Sequence, residues 1–259
     1  VLSHINSNNP VAHEVLAAVL QVRYATAAGE RPPAHGPASL RVLLWRRALD
    51  PHIGRWSLPG GRLRPDEDVE TSIRRQLAEK VDVKQLSHVE QLAVFSAPDR
   101  VPGPRVVATA FLGLVPAGVD PVVPEDTAWH PVDALPRTAF DHEAIVLRAR
   151  DRLRAKLSYT NLGFALAPKE FTMSTLRELY SAALGYPVSA TNLQRVLSRR
   201  GLLVPSGRTA SPGRTGGRPA ALYSFAHAGM QVTDPFAVLK PPTPKRPATR
   251  ERARRSPTP

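Results

Sequence analysis

Two nearly unbroken apolar runs open the chain, Val15–Val22 (VLAAVLQV) and Leu40–Trp45 (LRVLLW). Short runs of this kind, rich in Val and Leu, predict buried strands. Between them, residues 25–38 hold Gly, Pro and small residues and read as a loop. From about Asp68 to Val81 the spacing predicts a helix, with Asp66 or Glu67 placed to cap its start. His88–Phe95, Arg105–Leu114 and Thr127–Trp129 predict further strands. Over Asp141–Leu157, Ile145, Leu147, Ala149, Leu153 and Leu157 recur at helical spacing with alternating charge outside. Residues 11–157 thus read as one mixed α/β domain ending in a linker helix, preceded by a flexible polar segment, 1–10.

A second unit is expected over 158–230. Thr172 can cap a helix that runs to Leu184 and breaks at Gly185-Tyr186-Pro187. Ser189 precedes a second helix, Ala190–Arg200, which Gly201 stops. Leu202–Val204, a Gly/Pro/Arg loop over 206–219 and Ala221–Phe225 follow. Helix, turn, basic helix, strand, long basic loop, strand is the order of a winged helix-turn-helix. Residues 231–259 are Pro-rich and basic with little to bury, the composition of a disordered tail.

Charge sharpens this division. Residues 1–151 carry 17 Lys+Arg against 18 Asp+Glu, whereas residues 152–259 carry 18 against 4, so the whole net charge of +13 arises in the second part. A neutral domain joined to a strongly basic one points to a polyanionic partner; the alternative is a solvated basic tail. The chain has no cysteine, so disulfides, thiol nucleophiles and thiolate metal sites are excluded, and a cytoplasmic protein is expected. No apolar stretch approaches the roughly 20 residues of a membrane span, and the start VLSHINSNNP lacks the order of a signal peptide.

The candidate chemistry lies in Gly60–Val83, GGRLRPDEDVETSIRRQLAEKVDV. With the preceding Trp56-Ser57-Leu58-Pro59, it resembles a Nudix box: Gly61, Glu67, Arg75, Leu77 and Glu79 fall at the expected spacing. The resemblance implies a metal cluster of glutamates on one helical face, where Mg²⁺ would need several hard oxygen ligands. Here that face reads Gln76, Glu79 and Lys80, and the closing Gly is Asp82. An amide is a poor ligand, and an ammonium would sit about where the cation should. The expectation is therefore a retained scaffold with no catalytic or metal residues and no required cofactor. The cleft would persist as a diphosphate pocket, with Arg46, Arg47, Arg62, Arg105 and the remaining carboxylate Glu79 as polar candidates. Trp56 or Phe95 could stack a base. The alternative is that these are ordinary surface arginines and core aromatics.

On the second helix, Leu193, Val196 and Leu197 form the core stripe. Thr191, Asn192, Gln194, Arg195 and Arg199 lie on other faces and suit base readout, whereas Arg200, Arg208, Arg214 and Arg218 suit phosphates or the minor groove. A solvated basic helix is the alternative.

Across about residues 11–225 the chain resembles the Nudix-related transcriptional regulators of NAD metabolism, the NrtR family. The segments that carry this are WSLPGG (56–61), the box, RVVATAF (105–111), LPRTAFDH (135–142), LSYTNLGFAL (157–166), EFTMSTLRELY (170–180), TNLQRVLSRRG (191–201) and GRPAALYSF (217–225). The resemblance implies a Nudix-like α/β/α sandwich with a mixed sheet, then a winged helix. It also implies a homodimeric repressor on a palindromic operator near NAD biosynthesis or salvage genes, responsive to ADP-ribose or a related nucleotide. A hydrolase acting on ADP-ribose, relying on Glu67, Glu70 and Glu79, is the alternative in a different class. A nonspecific nucleic-acid binder driven by the tail is a third, separable by deleting 234–259.

Overall fold

The computed structural model describes residues 11–25, 37–81, 85–210 and 219–234, leaving aside the side chains of Lys80 and Val81. The expected flexible N-terminus, most of the 25–38 loop, most of the wing loop with Arg214 and Arg218, and the tail from 235 lie outside the described residues.

The apolar run at the start becomes β1 (Ala12–Tyr24), which lies at the centre of a seven-stranded mixed sheet. On one flank, β1 pairs in parallel with β6 (Val106–Leu114), which pairs antiparallel with the edge strand β5 (His88–Phe95). On the other flank it pairs antiparallel with β2 (Ala38–Arg46) through residues 20–24 and with the short β4 (Gly60–Arg62) through residues 14–16. Strands β3 (Trp56–Ser57) and β7 (Thr127–Pro131) complete the sheet against β2.

Continuous apolarity in β1 reflects burial on both faces. Val15, Ala17 and Val19 pack with Phe111 against Ile73 and Leu77 of α1 (Val69–Val81). Leu16, Ala18, Leu20 and Val22 pack against Ile145, Val146, Ala149 and Leu153 of α2 (His142–Tyr159). Each fully buried Val, Leu, Ile or Phe side chain among these contributes about 1.5–3 kcal/mol relative to exposure. The expected α/β/α sandwich is what these two cores build. Val146, not Leu147, belongs to the α2 stripe, because the helix turns the neighbour at i+1 from Ile145 inward as well. The cap of α1 is also different: Asp68 accepts from the Thr71 N–H at 2.7 Å, one residue beyond the expected Asp66 or Glu67.

The second unit follows the expected order. Thr172 caps α3 (Met173–Leu184) by accepting from the Thr175 N–H, and Gly185 ends it in the left-handed conformation. Ser189 caps α4 (Ala190–Arg199), whose Leu193 and Leu197 face inward. The hairpin β8 (Leu203–Thr209) and β9 (Ala221–Phe225) closes the unit, with β8 extending into the segment expected to be loop. Phe171 and Tyr223 exchange both backbone hydrogen bonds at 2.9 Å, tying the entry of α3 to β9.

One buried cluster runs from Leu16 and Ile145 through Leu162, Leu176 and Tyr180 to Leu193 and Leu202, so the two units share a core. The backbone after β9 returns to the end of α2. Gln231 and Asn161 exchange hydrogen bonds, Asn161 Nδ2 donates to the Gly229 carbonyl, and the Thr233 N–H donates to the Tyr159 carbonyl. Residues 231–234, expected to begin a disordered tail, are held by these bonds.

Candidate functional site: the box cleft and the exposed helix

Two glycines set the geometry of the cleft. At Gly60, φ is +152° and a Cβ would come within 2.1 Å of the Val15 carbonyl, so only glycine lets β4 press this closely on β1. Beneath Gly61 lies the side chain of Gln76, which is buried and whose Oε1 has no hydrogen-bond partner among the described residues.

Arg75 clasps Glu67 through two hydrogen bonds of 2.8 and 2.6 Å and reaches Glu79 at 3.0 Å. Hydrogen bonding from the guanidinium holds the Glu67 carboxyl at about 2, well below its ordinary value. Glu67 thus ties the loop to α1, and Glu79 pairs with the same arginine one turn along the helix. Of the face expected to hold metal in a Nudix enzyme, Gln76 is sequestered, Glu79 is paired, and the Lys80 side chain is outside the described residues. No group of three or more His, Asp or Glu among the described residues is arranged to hold a metal ion.

Beside the box opens a cleft of about 250 Å³, walled by Glu14, Trp45, Arg47, Gly60, Gly61, Phe140 and His142, among others. Arg47 lies 4.9 Å over the Phe140 ring and donates to the Pro51 carbonyl. At one side Arg100, buried, donates to Glu14 at 2.6 Å and to both oxygens of Asp141 at 2.8 and 2.9 Å. His142, the first residue of α2, accepts at Nδ1 from the Leu58 N–H at 2.9 Å. Burial, followed by the charges of Arg100, Arg47 and His52, lowers its pKa to about 3 and keeps the ring neutral.

Of the seven sequence candidates for ligand contact, only Arg47 lines this cleft. Arg46 is exposed and lies 5.5 Å over Trp56, which itself meets His130 edge-on and packs against the core. Arg62 is exposed on β4, Phe95 packs against the larger core, and Arg105 donates to the Ser96 carbonyl. Glu79 is held by Arg75. The sequence candidates lack the cleft residues Glu14, Phe140 and His142, and Arg100, which holds Glu14 from beside the cleft. Two of these lie in the segment LPRTAFDH, but nothing local shows that α2 begins beneath the box.

The second candidate surface is α4. Thr191, Asn192, Arg195 and Arg199 are exposed, and 191, 195 and 199 follow i, i+4 spacing along one face. Among the described residues Arg195 bonds only to its neighbour Asn192, at 2.8 Å. Gln194 is half-buried and donates to the Tyr223 hydroxyl. Arg208 is exposed and paired with Glu170. Arg200 is otherwise occupied: it donates to the Ser158 carbonyl at the end of α2 and to Asp234, with a side chain only 16% exposed. In this structure its guanidinium thus points inward rather than to the exposed face of α4. No described helix is long and apolar enough to cross a membrane.

The NUDIX domain profile matches residues 35–149, and the profile of the NrtR DNA-binding winged helix domain matches residues 163–225. The chain is 28% identical over 194 residues to the ADPR responsive transcriptional repressor NtrR of Acinetobacter baylyi, covering 72% of this chain and 76% of that protein. It is 33% identical over 125 residues to the ADP-ribose pyrophosphatase of Methanocaldococcus jannaschii, covering 45% of this chain and 68% of that protein. Among solved structures, Shewanella oneidensis NrtR complexed with a 27mer DNA superposes with a TM-score of 0.65 at 30% identity, over 82% of this chain and 92% of that one.

Proposed function

The chain belongs to the NrtR family, and from that premise we propose that it is a DNA-binding transcriptional repressor whose Nudix-like cleft binds ADP-ribose as a signal. The carrying observation is the pairing, on one shared core, of a box whose Glu67 and Glu79 are held by Arg75 with a helix that exposes Thr191, Asn192, Arg195 and Arg199. The relatives named as an ADP-ribose-responsive repressor and as a DNA-bound regulator support the same reading.

In this reading Arg47 meets the diphosphate, while Gly60 and Gly61 allow the ligand to approach the backbone. Gln76 and the Arg75 clasp leave no carboxylate set for productive metal binding, so ligand occupies the cleft without turnover. On α4, Arg195 and Asn192 read base edges, with Thr191 and Arg199 beside them. Two copies related by a two-fold axis place two such helices about one DNA turn apart on a palindromic operator near NAD biosynthesis or salvage genes. Ligand control requires that ADP-ribose favour one placement of the winged helices over the other.

The test is fluorescence anisotropy on promoter fragments from the source genome, with and without ADP-ribose, followed by chromatography of the nucleotide. The expected result is salt-sensitive binding to a specific fragment, released by ADP-ribose that is recovered intact. Absence of any fragment preference sinks the proposal. The pyrophosphatase relative favours a second reading, hydrolysis of ADP-ribose. Turnover with Mg²⁺ or Mn²⁺ that Glu79→Gln abolishes would establish it.

A further inference from the structure

His142 carries an unused donor. Because a backbone N–H points at Nδ1, that nitrogen must be unprotonated, and in a neutral ring the proton then resides on Nε2. No described residue bonds Nε2, yet it is not among the buried polar atoms sealed from solvent without a partner. The rest of the side chain is enclosed, with 3% of the residue exposed, and His142 is a wall of the cleft. The ring edge that remains open is therefore the Nε2–H edge, presented to the cleft beside Arg47 and the glycine pair.

We propose that His142 is a ligand-binding residue of this cleft, donating from Nε2–H to an acceptor oxygen of the bound nucleotide. The inference rests on the reading that the cleft takes ADP-ribose. The Leu58 amide fixes ring orientation and tautomer, so the donor exists before the ligand arrives and needs no reorganisation. The ring is a neutral donor at this position because burial, then the Arg100 and Arg47 charges, disfavour its cationic form. His142 also begins α2, where the helix N-terminus favours a negative ligand.

Two substitutions separate the ring's two edges. In His142→Asn the amide oxygen can take the place of Nδ1 and keep the Leu58 contact, but nothing reaches the position of Nε2. In His142→Gln the amide nitrogen reaches the Nε2 position while the Leu58 contact is lost. Calorimetry with ADP-ribose should show the Asn variant melting near the parent temperature but binding about tenfold more weakly, the effect of one lost hydrogen bond. The Gln variant should melt lower yet retain more affinity. An Asn variant that melts and binds like the parent overturns the proposal.

A measurement on the unaltered protein stands apart from variant folding. Long-range nitrogen–proton NMR of ¹⁵N-histidine protein should show a neutral Nε2–H ring whose Nε2 proton moves downfield on saturation with ADP-ribose. Binding that leaves this imidazole unshifted removes His142 from the site alone. Failure of the parent protein to bind ADP-ribose instead removes the reading of the cleft, and this inference with it.

Discussion

The cleft and the outer face of α4 use the same residue type in opposite ways. Beside the cleft Arg100 is buried and spends three hydrogen bonds on Asp141 and on the cleft residue Glu14, and in the box Arg75 is clasped by Glu67 and Glu79. On α4, Arg195 bonds among the described residues only to Asn192. A small ligand of fixed shape rewards groups already held in place, because ordering them during binding would subtract from affinity. A nucleic acid is a long polyanion, and its attraction to protein depends on cations free to displace its counterions. Arginine count and net charge register both uses alike, which is why composition located the basic half but could not say which arginines are available.

The largest test of this contrast is Arg100→Ala. It leaves two partly buried carboxylates facing each other without their cation, and the expected loss of stability is about 3 kcal/mol in urea denaturation. Arg195→Ala should do the reverse, leaving stability within about 0.5 kcal/mol while weakening specific DNA binding by about 1–3 kcal/mol. If Arg100→Ala is as benign to folding as Arg195→Ala, the cleft is not the preorganised structure described. If Arg195→Ala leaves anisotropy on the operator unchanged, Arg195 leaves the interface.

The sequence carried the long elements well because their period is local. The two-sided burial of β1 shows in VLAAVLQV, and the caps of α3 and α4 show in Thr172 and Ser189. β3 and β4 are two and three residues long and exist only through pairing with β2 and β1, so no local signal announces them. The cleft was legible where it is local: Gly60, Gly61 and the Glu67–Arg75 clasp all lie within the box, and Arg47 directly follows β2. It was not legible where it is assembled. Arg100 reaches Glu14 across 86 positions and Asp141 across 41, and Leu58 meets His142 across 84.

The contrast can also be sharpened with pH. In the unfolded chain His142 titrates near 6.5, but in the folded protein only near 3. The unfolded state therefore binds more protons between these values, and folding stability must fall as pH drops from about 6.5 toward 3, by at most about 1.4 kcal/mol per pH unit from this residue. Above 6.5 its contribution is constant. Urea midpoints from pH 8 to pH 4 should show this slope in the parent and a smaller one in His142→Asn. Equal slopes would mean that the ring is not held neutral by the cleft. No corresponding change is expected from Arg195→Ala, since α4 buries no titrating histidine.

The smallest effect is expected at Arg200, which lies on the boundary between the two behaviours. It directly follows α4 and by sequence alone belongs with the DNA-facing arginines. In the structure its guanidinium turns inward to the Ser158 carbonyl at 3.0 Å and to Asp234 at 2.9 Å, joining the end of α4 to the end of α2 and to the returning backbone. Arg200→Ala removes one partly buried ion pair and one carbonyl contact, so a stability loss of about 1 kcal/mol is expected. If the inward geometry governs its role, the slope of log affinity against log salt on the operator should match the parent, because no phosphate contact is lost. A slope reduced by about one unit would show instead that Arg200 leaves Asp234 for a phosphate when DNA binds, and would move it to the exposed side of the comparison.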